Sequence, residues 1–161
     1  MKIAKKIRPF LRLVATISLD ETDGSEIING SPVFDFISST FKYWGLDFFS
    51  NPTKKMNVCV YQIIRDGTFK DFFSELSNIL NDLVLTQSQI IQFVRKNKIW
   101  LAPIGYTFFT LKSREDFFLA DVKLYHANEL RVLANQFSYD KALCVKDRHW
   151  IVVPQLTHKV P

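Results

Sequence analysis

Cys144 and His149, five residues apart, come nearer than any other pair in this sequence to a nucleophile with its base. A thiol attacks efficiently only as the thiolate, which at neutral pH requires a neighbouring base or cation. No oxyanion-hole or orienting group stands beside the pair, so the residues read as a buried cysteine on a strand and a surface histidine at a strand end. The carboxylate pairs Asp20-Glu21 and Glu115-Asp116 fall in predicted loops or strand edges, where charges are solvated rather than arranged for general acid or base work. In Asp147-Arg148-His149-Trp150, an arginine, a histidine and a tryptophan adjoin, a set able to stack on a base or grip an anion. Alternate residues of a strand face opposite ways, which places Arg148 and Trp150 with Val152 and turns His149 towards Ile151 and Val153. The set therefore does not converge.

Phosphate-binding and metal-binding signatures are missing. Five glycines supply neither G-x-G-x-x-G nor G-x-x-x-x-G-K-[ST], and His126, His149 and His158 lie too far apart for a local zinc spacing. No cofactor and no catalytic residue is expected, and a non-catalytic role is the expectation. Cys59 and Cys144 suit a reducing compartment with two buried thiols, although one disulfide stays open. No run approaches the roughly 20 apolar residues needed to span a bilayer. Lys5 to Leu19 imitates a signal peptide, but Pro9 and Arg12 interrupt it and Asp20-Glu21 follows without a small-residue cleavage pattern. A soluble, cytoplasmic protein is expected.

Two candidate binding surfaces remain. Lys2, Lys5, Lys6, Arg8 and Arg12 put five positive charges into the first twelve residues, where no acid occurs, whereas residues 13–161 balance sixteen bases against sixteen acids. Any pull on phosphate should come from this arm, about residues 1–9, rather than from the body; the alternative is an arm that only aids solubility. The second surface is FKYWGLDFF, residues 41–49, in which Tyr43, Trp44, Phe48 and Phe49 are flanked by Lys42, Lys54 and Lys55. Such a segment packs a core or presents aromatic rings to a partner, and periodicity does not decide between the two. Fifteen phenylalanines as a whole point to an aromatic-rich core.

The elements that must position these residues follow from period and punctuation. Leu11, Leu13, Ala15, Ile17 and Leu19 alternate as a half-buried strand does. Asp20 to Gly30 reads as a loop, Val33 to Ser38 as a short strand, and Asn57 to Arg65 as a strand that stops at the turn signal Asp66-Gly67. Phe69, Phe72, Phe73, Leu76, Ile79, Leu80 and Leu83 recur at helical spacing behind the N-cap Thr68, predicting a helix from about Phe69 to Val84. Thr86 and Gln89 resemble a capping box that opens a second helix, with Arg95, Lys96 and Lys98 near its C-terminus. Beyond Pro103 and Gly105, strands are expected at Tyr106 to Lys112, Asp116 to Tyr125, Glu129 to Phe137 and His149 to Val153. The whole predicts a single α+β domain over residues 1–161, with antiparallel sheet strands in both halves around a central pair of helices. Its C-terminal part should be a four-stranded meander.

RPFLRLVATISL, FKYWGLDFF followed by Asn51-Pro52, the helix pair ending in VRKNKIWL, and the closing IGYTFFTLK and HWIVVPQL are spread along most of the chain. In these stretches the sequence resembles a group of short proteins from bacteria of the Candidate Phyla Radiation. The resemblance implies an intracellular bacterial protein and assigns no catalytic residue. With no catalytic motif and many aromatics, the expected role is a binding or adaptor domain whose partner is a protein. The alternative is a nucleic-acid-associated protein using Lys2, Lys5, Lys6, Arg8 and Arg12, with affinity that falls as salt rises.

Overall fold

The structure, a computed structural model, describes residues 8–156. In chain order these form β1 (Leu11–Leu19), β2 (Phe36–Ile37), α1 (Thr40–Tyr43), β3 (Met56–Ile63), β4 (Gly67–Thr68), α2 (Phe69–Leu76), α3 (Gln87–Lys96), β5 (Thr107–Ser113), β6 (Asp116–Leu124), β7 (Leu130–Gln136), β8 (Ala142–Leu143) and β9 (Trp150–Pro154). Seven strands make one sheet in the order β1-β3-β9-β5-β6-β7-β2, and β4 and β8 form a separate small ribbon. The result is a mixed α+β fold with a core that is mostly sheet.

The expected four-stranded meander is corrected to three. β5, β6 and β7 run antiparallel through short turns, but β9 returns to lie parallel to β5 and antiparallel to β3. Ile151, Val152 and Val153 are all buried, so β9 has both faces covered, and a central position between the two halves supplies that cover. The central pair of helices is likewise corrected, because α2 and α3 pack on opposite faces of the sheet. Val58, Val60, Phe109 and Val152 pack with Ile90, Ile91, Phe93 and Val94 of α3. Their strand neighbours Ile63, Phe108, Ile151 and Val153 pack with Phe69, Phe72 and Phe73 of α2. The two-residue period of a strand divides the apolar residues between the two layers.

Both helix starts match the sequence reading. Thr68 Oγ1 accepts from Asp71 N while the Asp71 carboxylate accepts from Thr68 N, and Thr86 and Gln89 make the same reciprocal pair. The first helix nevertheless ends at Leu76 rather than Val84. Ser77 is extended; its hydroxyl accepts from Ile79 N at 3.0 Å and donates to Asp82 at 3.2 Å, offering the backbone a turn in place of another helical bond. A 3-10 turn at Leu80–Leu83 then returns both leucines to the α2 layer.

β1 has the predicted bounds but not one apolar face. Its register with β3 shifts between Leu13 and Ala15, so Val14 is an extra residue. Leu11 therefore packs with the α2 layer, and Ala15, Ile17 and Leu19 with the α3 layer. The second predicted strand shrinks to Phe36–Ile37, parallel to β7. No helix among the described residues is long and apolar enough to cross a membrane.

The long loop after β1 buries Ile28 and Phe34, and α3 holds it with polar side chains. Gln92 accepts from Asp20 N and donates to Asp20 O, and Ser88 makes the same exchange with Glu26. Gln87 accepts from Ile28 N at 2.8 Å and donates to Leu46 O at 3.1 Å. These buried side chains stand in for a missing strand partner.

Candidate functional site

Residues 41–49 are neither all core nor all surface. α1 ends in a Schellman motif: Leu46 N donates to Phe41 O, Gly45 N donates to Lys42 O, and Gly45 takes the left-handed φ of +67° that a side chain would disfavour. Phe41 and Leu46, brought together by that motif, are fully buried. Ala134 N donates to Thr40 Oγ1 and fixes the turn on β7, while Gln87 holds the exit at Leu46. So anchored, the segment turns Tyr43 and Phe49 outward at 78 % and 71 % exposure, with Phe48 also exposed. Trp44 is half-buried, between Tyr43 at 4.9 Å and Phe118 at 5.7 Å. Tyr43, Trp44, Phe48 and Phe118 line an open cleft of about 640 Å³, together with Asp47, Arg114 and Asp116.

A second site was not anticipated. Asp121 stands in the middle of β6 on the α2 side and is 3 % exposed. Its Oδ2 accepts from Asn135 Nδ2 at 2.6 Å, but Oδ1 has no hydrogen-bond partner. Buried hydroxyls of Ser50 and Thr110 share that condition, and Asp121 is the one ionisable group among the described residues that does. Burial raises its pKa from 3.8 to about 7, against the opposing charge of Lys141 and the Asn135 hydrogen bond. Asp121 lines a cavity of about 130 Å³ with Phe36, Tyr106, Lys123, Tyr125, Arg131 and Leu133, and no α2 residue is among its lining residues.

Rings and cations alternate along that cavity. Lys123 Nζ lies 5.2 Å from the Tyr106 ring centre and 4.7 Å from that of Tyr125; the Arg131 guanidinium lies 4.3 Å from Tyr125 and 5.6 Å from Phe36. Glu129 pairs with Arg131 at 2.5 Å. Burial, then Tyr125 and Asp121, raise the Tyr106 pKa, so its phenol stays protonated. An open groove of about 370 Å³, lined by Pro103, Ile104, Gly105 and His126, continues outward and shares Lys123 and Tyr125 with the cavity. No family model, curated protein or solved structure matches this chain.

Other sequence candidates take structural roles. His149, expected at the surface, is buried: its Nδ1 accepts from Tyr106 N at 3.0 Å and its ring stacks on Tyr106. A backbone N–H can only donate, so Nδ1 is unprotonated, and burial lowers the pKa of the imidazole. Cys144, expected to be buried, is exposed; Cys59 is buried, and the two are unpaired. Both observations reverse the roles assigned to the Cys144 and His149 pair. Asp20 bonds Lys96 at 2.6 Å, and Glu115 and Asp116 sit exposed at the β5–β6 turn. Of the arm, Lys2, Lys5 and Lys6 lie outside the described residues. Arg8 and Arg12 are exposed, and neither lines the cleft or the cavity. The root of the arm is tied to the body, since Glu75 accepts from Phe10 N and Leu11 N, and Arg65 donates to Arg8 O.

The signal for the second site was present in FFLADVKLY. An aspartate in the interior of an otherwise apolar strand, at even spacing from Lys123 and Tyr125, has to face a layer with them. Tyr106, Phe36 and Arg131 come from other elements, and no local pattern announces them.

Proposed function

We propose that this protein is a non-catalytic binding domain whose aromatic cleft takes a segment of a partner protein. The observation that carries the reading is the outward placement of Tyr43 and Phe49 by a well-anchored turn. Exposed rings beside a large open cleft mark interaction surfaces, and a rigid mount lowers the ordering cost of binding. Trp44 and Phe118 offer a floor for one apolar side chain of the partner. Arg114 and Asp116 of the β5–β6 turn, with Asp47, can meet its backbone or charges of either sign. Tyrosine and tryptophan are also the residue types that concentrate binding energy at such surfaces.

A displayed random-peptide library tests this, with selection on the native protein and counter-selection on the Tyr43→Ala/Phe49→Ala variant. Expected are peptides with an aromatic or branched apolar anchor, whose binding shifts the Trp44 indole resonance and weakens at least tenfold in the variant. Peptides that bind both proteins equally, or none enriched, overturn the reading.

A further inference from the structure

The seven-stranded sheet ends differently on its two sides. At one end β2 pairs through two residues, Phe36 and Ile37, and so short a strand leaves little backbone to extend. At the other end β1, nine residues long, has β3 on one side and no strand among the described residues on the other. Which of its backbone groups face outward follows from β3. Gln155 N donates to Asn57 O and Ile63 N to His149 O, so the odd-numbered residues of β3 turn their backbone towards β9 and the even-numbered ones towards β1. Paired with those even-numbered residues are Arg12, Ala15, Ile17 and Leu19. Leu13, Thr16 and Ser18 therefore point their N–H and C=O groups away from the sheet, and all three are exposed.

Side chains close the two ends of this edge and leave its middle open. Glu75 accepts from Phe10 N and Leu11 N, and Gln92 accepts from Asp20 N while donating to Asp20 O. No side chain among the described residues does the same for the backbone of Leu13, Thr16 or Ser18. The usual guards of an edge strand are also sparse. From Leu13 to Leu19 there is no charge and no proline, and the one irregularity is the extra residue Val14.

Charge selects the occupant. Arg12 stands before this uncharged stretch and Asp20 and Glu21 follow it, all three exposed. Arg12 bonds the neutral Gln62, Asp20 bonds Lys96, and Glu21 is in none of the ion pairs among the described residues. A second β1 laid antiparallel about a two-fold axis near Thr16 brings Arg12 of each copy towards Asp20 and Glu21 of the other. A parallel copy sets like charges side by side. A strand with opposite charges at its two ends is thus complementary to itself in the antiparallel sense, which is the isologous arrangement of a two-fold dimer.

We infer that this protein forms a two-fold dimer through antiparallel pairing of β1 with β1 of a second copy, joining two seven-stranded sheets into one. Leu13, Thr16 and Ser18 supply the backbone donors and acceptors, and Arg12 with Asp20 and Glu21 sets the direction. Leu13, 53 % exposed, gains cover from the neighbouring strand. Assembly closes at two copies, because β2 offers too short a strand for further addition. β1 lies four strands from β6, whose Phe118 lines the aromatic cleft, so the inference stands whether or not that cleft binds a protein.

Sedimentation of the full chain over roughly 1 to 100 µM, a range that brackets micromolar association, is expected to show a monomer–dimer equilibrium and nothing larger. Amide exchange with residue resolution locates the interface in the unmodified protein. Leu13, Thr16 and Ser18 should exchange about tenfold more slowly in the dimer, while Ala15, Ile17 and Leu19, bonded to β3, are protected at every concentration. Thr16→Lys sets like charges across the axis and should give a monomer, as should Thr16→Glu. Mixing the two variants should restore a dimer, because the charges now attract. Protection of Ala15 and Ile17 in each variant reports that the β1–β3 pair is intact; where it is lost, exchange in the unmodified protein decides. A monomer throughout the range, a dimer in which Leu13, Thr16 and Ser18 exchange as fast as in the monomer, or assemblies that grow beyond two copies overturn the inference. So do folded single variants that still dimerise and a mixture of folded variants that stays monomeric.

Discussion

Gln87 and Asp121 are polar residues of nearly equal burial, 5 % and 3 % exposed, on opposite sides of one sheet. Gln87 accepts one hydrogen bond and donates another, both to backbone that has no other partner in the loop it holds. Asp121 has one oxygen engaged and one bare. The contrast separates polar groups that build a fold from polar groups that a fold carries. A fully satisfied buried amide recovers its desolvation cost, whereas a half-satisfied carboxyl leaves that cost standing.

The comparison breaks most readily at Asp121. Its folded-state pKa of about 7 lies above the 3.8 of an unperturbed aspartate, so between those values the folded protein holds a proton that the unfolded chain has lost. Stability contributed by this group is therefore intact near pH 4, falls as pH rises to about 7, and is level above that. The groups bearing on it are Lys141, Asn135 and the phenol of Tyr106. Asp121→Asn is expected to stabilise the protein at pH 8 by up to about 4 kcal/mol, since each pKa unit corresponds to ~1.4 kcal/mol, and to change little at pH 4. Urea unfolding at the two pH values measures the difference; a variant equally destabilised at both would make Asp121 an architectural group like Gln87.

Gln87→Ala should act in the opposite sense. Removing the amide orphans Ile28 N–H and Leu46 C=O, for a loss of about 2–3 kcal/mol with no pH dependence between 5 and 8. Its secondary effect sharpens the comparison, because Leu46 anchors the turn beneath Tyr43. Hydrogen exchange at residues 41–49 should accelerate in this variant and remain unchanged in Asp121→Asn. The smallest of these effects is expected at Thr68→Ala, which removes one half of a reciprocal cap and costs about 1 kcal/mol in the same unfolding assay. A loss well above that would mean that the cap also supports the β4–β8 ribbon, which Thr68 joins through Ala142.

The sequence by itself determined the local elements, because each is specified by residues within one or two turns of one another. Thr68 with Asp71 and Thr86 with Gln89 open helices wherever they are placed, and Gly45-Leu46 closes α1 by the same local logic. β3, β5, β6 and β7 were readable from alternation and turn residues, as was the split of the strand residues around His149. Where a local competitor existed, as with the Ser77 hydroxyl, apolar spacing alone overran the end of the helix. Only the tertiary structure decided where β9 inserts, which face of the sheet each helix covers, and at which residue β1 changes sides. Those outcomes depend on pairings between residues far apart in the chain, and several pairings satisfy the same alternation. The Asp121 cavity belongs to this second class. Its floor lies in one strand and could be suspected from an aspartate among apolar residues, but its walls arrive from β2, β7 and the residue before β5, and their convergence follows from strand order alone.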